Sequence, residues 1–281
     1  MLAATSFPRE SLLHVVKTLP AAPQILARLG RMLLDLNADL TDVTALLRCD
    51  AALTARLMRI ANSAMYNTGA PFASLEQALA RVGFSEVYRL TGFAATAQLT
   101  DEALPLYGIA GPQLRENSLL TALIMEALAA AIGIDQRAAY TAGLLRSTGK
   151  IALNRLTRDP AYSGAYPAAN GGPLAKWETE FTGLNNCEAA AFILNEWRFP
   201  PATLNAIQQH YTPRASSVPL AAVLNLAAGA AEHAGHGLPG EGSYWETTPE
   251  KFEAAKVSEV DLAEATEVAL QHFGPVRAAL A

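Results

Sequence analysis

The chain has 281 residues, of which 51% are hydrophobic and 17% are charged, and its formal net charge is −5. From Glu241 onward it carries eight acidic and three basic side chains, so residues 1–240 are neutral overall. A neutral body with an acidic C-terminal segment is not the charge pattern of a nucleic-acid-binding protein. The longest apolar runs, such as Ala127–Ile132, are far shorter than the roughly 20 residues of a membrane span.

Cysteine usage and the N-terminal sequence indicate a cytoplasmic protein. Cys49 and Cys187 are too few and too far apart to form a disulfide framework, so we expect reduced cysteines in the core. The first residues show no basic segment followed by an apolar stretch, which a signal peptide would need. We therefore expect a cytoplasmic location, no membrane contact and no bound nucleic acid.

Apolar residues recur at helical spacing along most of the chain, and no stretch shows the alternation of a strand. Four polar residues stand where helices would begin and are predicted N-caps, namely Thr41, Asp50, Ser74 and Ser85. The helices predicted in chain order are Pro23–Leu36, Thr41–Cys49, Ala51–Tyr66, Leu75–Val82, Ser85–Leu99, Gln113–Ile132, Gln136–Leu156, Leu174–Phe181, Cys187–Trp197, Pro201–Tyr211 and Val218–His233.

Two segments interrupt this pattern. Arg158–Pro173 is rich in glycine, proline, asparagine and serine, which predicts a long surface loop. Gly235–Gly242 is a glycine-rich break, after which Thr248 and Ser258 mark the starts of two further helices. The sequence therefore predicts an all-α fold with an acidic helical segment at its C-terminal end.

Several motifs of the N-terminal half occur in the order typical of one family. The sequence Leu-Pro-Ala-Ala-Pro at residues 19–23 precedes Asp-Ala-Ala-Leu-Thr at residues 50–54. Ala-Asn-Ser-Ala at residues 61–64 follows with Tyr66, and Ser-Leu at residues 74–75 leads to Val-Gly at residues 82–83. These motifs resemble the N-terminal signature of HDOD domains, which are relatives of the HD phosphohydrolases.

The resemblance continues over the second half. It includes Ala-Gly-Leu-Leu at residues 142–145, Gly-Lys at residues 149–150, and then Glu188, Trp197, Pro200 and His210. It implies an HD-like multi-helix bundle with an N-terminal helical subdomain. The HDOD domain would cover residues 12–212, with an N-terminal part at 12–100 and an HD-like part at 105–212. Residues 213–281 would form a C-terminal helical extension with the acidic tail.

The HD site itself is degenerate in this sequence. HD enzymes hold metal ions with histidine and aspartate, and the metal activates a water molecule. Where the family has the His-Asp pair, this chain has Arg146 and Ser147, and arginine cannot coordinate a metal. Asn117 and Asn186 stand where histidines are common, and only His210 remains. We therefore expect no metal, no cofactor and no catalytic residues.

The sequence supports two interpretations of Arg146. It enters the place of the metal and could replace its charge, with Lys150 four residues later on the same helix face. Together with Asn117 and His210 these side chains would line a small pocket for an anion such as phosphate. Alternatively, Arg146 forms an ion pair with a nearby carboxylate, for which Glu116 and Glu188 are the candidates. The sequence does not decide between these two interpretations.

Four further residues of the signature are interpreted as structural. Asp50 is a predicted N-cap, and Trp197 is a large aromatic side chain next to a helix end. Asn62 and Ser63 are polar residues in an otherwise apolar helix, so they need hydrogen-bond partners. We expect Asn62 to join backbone groups of a neighbouring turn, which would hold the N-terminal helices together.

The resemblance implies a non-catalytic regulatory module of a signalling pathway that acts through contacts with partner proteins. Gating by a small ligand and homo-oligomerisation are open alternatives. Two other functions are kept as rivals. One is a residual metal-dependent phosphohydrolase, and the other is an anion- or nucleotide-binding protein that uses the degenerate HD site.

Overall fold

The computed structural model describes residues 9–35, 37–63, 66–67, 69–158, 164–168, 172–213 and 219–280. Within these ranges the chain is helical and contains no strand, apart from one isolated bridge between Leu104 and Ile109. The fold is thus all-α, as the sequence predicts. The α-helices are α1 Arg9–Thr18, α2 Ala22–Met32, α3 Leu40–Leu47, α4 Ala51–Ala61, α5 Leu75–Val82, α6 Phe84–Leu99, α7 Gly111–Ile132, α8 Gln136–Leu145, α9 Thr148–Leu156, α10 Leu174–Thr182, α11 Asn186–Glu196, α12 Pro201–Gln209, α13 Pro219–Ala231, α14 Pro249–Ala255 and α15 Glu259–Leu280.

Shorter helical turns complete the described chain. They are 3₁₀ turns at Pro105–Tyr107 and Gly242–Tyr244 and a π turn at Glu232–His236. Among the described helices, none is long and apolar enough to cross a membrane.

The chain divides into two compact units. One consists of Pro20–Leu99 with Gln271–Ala281. In it, α6 packs against α2 and α4 and buries residues on nearly every side, including Val87, Leu90 and Phe93. The other unit consists of Met1–Leu19 with Thr100–Leu270.

The second unit is built around α7, which packs against α8 and α13. Helix α8 approaches α7 closely at Gly143, where a Cβ would lie 2.7 Å from the Ala122 nitrogen. Helix α9 approaches α11 closely at Gly149, where a Cβ would overlap the Asn186 carbonyl. These two glycines let the backbones meet, and they fix the positions of the side chains between them.

Two of the four predicted N-caps are confirmed. Asp50 caps α4 by accepting from the Leu53 nitrogen, and Ser74 caps α5 by accepting from the Gln77 nitrogen, both as predicted. The prediction of Thr41 is wrong, because α3 begins earlier and Asp39 accepts from the Asp42 nitrogen. The prediction of Ser85 is also wrong, since the Val87 nitrogen already bonds the Gly83 carbonyl and the helix begins at Phe84.

Three predicted helices end well before their predicted C-terminal residue. The helix predicted over Pro23–Leu36 ends at Met32. The helix predicted to reach Tyr66 ends at Ala61, because the next residue, Asn62, turns its side chain to the backbone of Phe72. The helix predicted over Gln136–Leu156 breaks after Leu145, and Ser147 leaves the helical region with φ −95° and ψ 8°. No glycine or proline stands between Leu145 and Thr148, so this break has no local sign in the sequence.

Candidate functional site

The break between α8 and α9 places two cationic side chains in the interior of the second unit. Arg146 is the residue after α8 and is 1% exposed, and Lys150 lies in the first turn of α9 with no exposed surface. Burying a charged group is costly unless it is paired and hydrogen-bonded. The surroundings of these two cations therefore decide what the site can do.

Arg146 is paired with Glu241, a carboxylate from the segment between α13 and α14. Its Nη1 donates to Glu241 Oε1 at 3.1 Å, and its Nη2 donates to Oε2 at 2.9 Å. The same Nη2 donates to Asn117 Oδ1 at 2.6 Å. Asn117 Nδ2 in turn donates to the His236 carbonyl at 2.7 Å, which fixes the orientation of the amide. Such a two-bond fork is the strongest common form of arginine–carboxylate pair.

Lys150 reaches the same carboxylate from the other side. Its Nζ donates to Glu241 Oε1 at 2.5 Å and to the Tyr211 hydroxyl at 2.7 Å. Tyr211 then donates its own proton to Glu241 Oε1 at 2.8 Å. Burial opposes the charge on Glu241, yet the charges of Arg146 and Lys150 prevail and hold its pKa well below its usual range. Glu241 is therefore an ionised carboxylate between two cations.

A second buried carboxylate, Glu178 of α10, lies on the far side of Tyr211. Its Oε1 accepts from the Tyr107 hydroxyl at 2.8 Å, and its Oε2 accepts from the Asn186 nitrogen and Nδ2, each at 2.8 Å. Burial raises the pKa of Glu178, whereas Lys150 and these donors favour the ionised form. The net effect is a raised pKa for Glu178. Arg146, Lys150, Glu178 and Glu241 are called the ion cluster below.

Asn186 connects the two carboxylates of the ion cluster. Besides its bonds to Glu178, its Nδ2 donates to the Tyr211 hydroxyl at 3.1 Å, and that hydroxyl bonds Glu241. The close packing of α9 on α11 at Gly149 brings the backbone of Asn186 beside the turn that carries Lys150. Asn186 therefore acts as a hydrogen-bonding link in the core.

His210 is fully buried next to the ion cluster. Its Nδ1 lies 2.7 Å from the Ile207 carbonyl, which requires the proton on Nδ1. Its Nε2 has no hydrogen-bond partner among the described residues. Burial and the nearby Arg146 lower the pKa of His210 to about 3, so the ring is neutral at physiological pH. The ring faces Trp245 at 6.0 Å and Cys187, whose Sγ lies 3.7 Å from Nδ1.

These groups do not fit a metal ion of the HD type. Arg146 brings a permanent positive charge to the place of the histidine–aspartate pair, and Ser147 and Asn117 are poor ligands. The one carboxylate that reaches Arg146 is already held by two cations. In the described part of the chain, no three His, Cys, Asp or Glu side chains come together as a metal site.

The structure brings most of the residues singled out from the sequence together. Arg146 and Lys150 belong to the ion cluster, and Asn117, Asn186 and His210 lie next to it. Ser147 is buried at the same break, and its Oγ has no partner within the described ranges. The arrangement is a closed polar core, because each of these side chains is at most 2% exposed.

The prediction that Arg146 pairs with Glu116 or Glu188 is wrong. Glu188 instead forms a capping box with Asn185 at the start of α11. Glu116 pairs with His236, with 3.2 Å between Oε2 and Nδ1. The partner is Glu241, which lies in the segment predicted as an acidic extension. No local motif identifies this partner, since Glu241 and Arg146 are 95 positions apart.

The four residues interpreted as structural lie at or next to helix ends. Asp50 is the N-cap of α4. Asn62 Oδ1 accepts from the Phe72 nitrogen at 2.7 Å, and its Nδ2 donates to the Phe72 carbonyl at 3.3 Å. For Ser63 the expectation of a side-chain partner is wrong, because its buried Oγ has no hydrogen-bond partner within the described ranges. Trp197 follows α11 and is 3% exposed.

Comparison with known proteins identifies the family. A model of the HDOD domain matches residues 19–213, which is more than half of the chain. The chain therefore belongs to the HDOD family. It is also 24% identical over 211 residues to an uncharacterised protein of Treponema pallidum strain Nichols. That match covers 70% of this chain and 38% of the length of the curated relative.

Solved structures share the fold. One from Shewanella amazonensis SB2B, named as a phosphohydrolase, is 25% identical with a TM-score of 0.69, covering 96% of this chain and 98% of that one. An HDOD domain protein of unknown function from Geobacter sulfurreducens is 20% identical with a TM-score of 0.67, covering 97% and 98%. The HD-like bundle predicted from the sequence is confirmed by these similarities.

Proposed function

We propose that the chain is a non-catalytic, cytoplasmic module of signal transduction that acts through contacts with partner proteins. The observation that carries this proposal is the position of Glu241 between Arg146 and Lys150. In HD enzymes this region binds metal and activates water, whereas here it holds buried side chains in which Arg146 and Lys150 share the Glu241 carboxylate. Such a core stabilises a scaffold and leaves no group poised for proton transfer to a phosphate ester.

The comparisons support the signalling part of the proposal. The HDOD family model covers the region in which the ion cluster is anchored, except for Glu241 itself. A structure from Marinobacter aquaeolei VT8 with a TM-score of 0.68, 18% identical to this chain, is named as a signal transduction protein. This likeness concerns the fold, and the chain covers 64% of that protein. Partner proteins are therefore the expected targets.

The rival functions make different use of the same residues. A residual phosphohydrolase would need a metal near His210, and the name of the Shewanella protein gives that rival its support. An anion-binding protein would need Glu241 to leave, so that phosphate could take its place between the two cations. Both rivals predict a measurable ligand, either a metal or an anion.

One experiment separates these functions. The purified protein is dialysed, its iron, manganese and zinc are measured, and turnover of bis-p-nitrophenyl phosphate is followed with each metal added. We expect no stoichiometric metal and no turnover. The double variant Arg146→His with Ser147→Asp should also be inactive, because Asn117 and Asn186 still lack imidazoles. Metal-dependent turnover by the wild-type chain that is lost in His210→Asn would overturn the proposal.

If the chain acts through contacts with partner proteins, such a partner should be found to bind it. Affinity capture from the source cells should give a protein that co-elutes in a fixed ratio and forms the same complex when both components are purified. Titration of the chain with inorganic phosphate should give no saturable binding. Saturable phosphate binding that increases in Glu241→Ala and is lost in Arg146→Gln would instead support an anion-binding function.

A further inference from the structure

A surface cavity of about 580 Å³ lies beside the C-terminal end of α9. It is lined by the 3₁₀ turn at Pro105–Tyr107, the C-terminal end of α9 and the segment around Ala165. Its volume is in the range of sites that bind small molecules. Pro105, Leu106 and Ala165 provide apolar surface, so the chemistry of a ligand is decided by the few polar groups of the wall.

Among those polar groups are one acidic side chain, one basic side chain and one amide. Arg158 and Glu102 line the cavity and form an ion pair, with 54% and 53% of their side chains exposed. Arg158 donates to Glu102 Oε2 through Nη2, which uses one of the five N–H groups of its guanidinium. Asn154 also lines the cavity and is 3% exposed. Its Oδ1 accepts from the Leu106 nitrogen at 3.0 Å, whereas its Nδ2 has no partner within the described ranges.

We propose that this cavity binds a free amino acid with an apolar side chain. The ligand's ammonium group would pair with Glu102, and its carboxylate would accept from Arg158 and from Asn154 Nδ2. Its side chain would lie on Pro105, Leu106 and Ala165. A zwitterion satisfies the acid and the base of the cavity together, whereas a simple anion would be repelled by Glu102 and a simple cation by Arg158.

The position of the cavity gives the ligand a route to the ion cluster. Asn154 lies one turn after Lys150 on α9, and Leu106 precedes Tyr107, whose hydroxyl bonds Glu178. A ligand held by Asn154 and Leu106 therefore contacts two elements that also position the ion cluster. The role of the site as a signalling input rests on the proposed function, but the binding itself does not.

Isothermal titration tests the binding. The wild-type chain is titrated with L-leucine, L-methionine and L-phenylalanine, and we expect at least one to bind with a Kd below about 1 mM. Two analogues of leucine are the ligand controls: 4-methylpentanoate lacks the ammonium group, and isopentylamine lacks the carboxylate. Each should bind at least about tenfold more weakly than leucine, because each makes only one of the two charge contacts that the amino acid makes.

Three variants assign the contacts. Arg158→Gln and Glu102→Gln should each weaken binding at least about tenfold, and both side chains are exposed enough to be changed without unfolding the chain. Asn154→Asp keeps an acceptor for the Leu106 nitrogen and removes the Nδ2 donor, so it should also weaken binding. Arg81→Gln, an exposed arginine outside the cavity, is the control and should bind as the wild type does.

Each outcome decides between the proposals. No binding of any of the three amino acids to the wild-type chain overturns the amino-acid site, as does binding that Arg158→Gln and Glu102→Gln leave unchanged. Neither result affects the proposed non-catalytic function, which depends on metal content and turnover. Conversely, amino-acid binding together with metal-dependent turnover would leave this site standing and overturn the proposed function.

Discussion

Arg146 and Glu241 form a buried fork of two hydrogen bonds, with Nη1–Oε1 at 3.1 Å and Nη2–Oε2 at 2.9 Å. The guanidinium also lies over the Trp245 ring, with 5.4 Å between Cζ and the ring centroid. Glu241 thereby belongs to the interior of the helical bundle, although it lies in a glycine-rich segment outside the regular α-helices. The following predictions test what this pair and its neighbours contribute.

Removal of the Glu241 carboxylate should strongly destabilise the chain. Glu241→Ala leaves Arg146 and Lys150 buried without a shared counter-charge, which we expect to lower the free energy of unfolding by about 3–5 kcal/mol. Urea denaturation followed by circular dichroism measures this change. Glu264→Ala, an exposed glutamate of α15, is the matched control and should change stability by less than about 0.5 kcal/mol.

The same variant should respond to small carboxylates. Formate can occupy the space between the two cations and stabilise the folded state by binding to it. The melting temperature of Glu241→Ala should therefore rise more in sodium formate than in sodium chloride at equal ionic strength. If the melting temperature of Glu241→Ala rises equally in both salts, or if formate raises that of the wild type as much, formate does not bind between the two cations.

His210 should make stability depend on pH below neutrality. Burial and Arg146 lower its folded-state pKa from 6.5 to about 3, so the unfolded chain takes up this proton first. The contribution of the neutral ring is complete above pH 6.5 and is lost as the pH falls towards 3, with a slope of at most about 1.4 kcal/mol per pH unit. Unfolding free energies of wild type and His210→Asn, measured from pH 7 to pH 4.5, should converge as the pH falls. Parallel curves would show that His210 titrates normally.

Gly149 should not tolerate a larger residue. A Cβ at this position overlaps the Asn186 carbonyl and lies 2.9 Å from the Ala190 nitrogen, so α9 and α11 would have to separate. We expect Gly149→Ala to cost about 1–3 kcal/mol of unfolding free energy. Gly274→Ala in α15 is the control, because nothing lies within 4 Å of its Cβ, and it should be neutral or stabilising by about 0.5–1 kcal/mol.

Asn62 should matter for the stability of the N-terminal helices. Its amide both accepts from and donates to the Phe72 backbone, so Asn62→Ala leaves two backbone groups without that partner. The expected loss is about 1–3 kcal/mol, measured by urea denaturation. Asn37→Ala removes an exposed asparagine that bonds Asp35 and should have little effect. A loss as small as that of Asn37→Ala would contradict a structural role for Asn62.

Much of the fold follows from local sequence signals. Asp50 and Ser74 were recognisable as N-caps because short acceptors precede apolar helical repeats. The apolar stripe of Ile25, Leu26 and Leu29 is buried in α2, as its helical spacing predicts. The helix end at Ala61 was missed because the Asn62 side chain bonds the backbone of Phe72, ten positions later. The break after Leu145 was missed because no glycine or proline stands between Leu145 and Thr148.

The candidate site was predictable only in part. Arg146 and Lys150 share a helix-like spacing and stand where the family has metal ligands, so the sequence placed them together. Glu241, Glu178 and Tyr211 carry no local motif, and their convergence depends on the packing of α10, α12 and the segment after α13. Long-range ion pairs of this kind are set by tertiary structure, which one sequence does not reveal.

The length of chain between Arg146 and Glu241 also affects how the protein is made. At about 5–20 residues per second, a ribosome needs on the order of 5–20 s to add the 95 residues that separate them. During that interval the residues of α8 and α9 are already joined, but Arg146 and Lys150 lack the carboxylate that pairs with both of them. The HD-like half can therefore reach its native packing only late in synthesis. A nascent chain that ends at residue 213, the limit of the HDOD match, remains a substrate for chaperones or proteases.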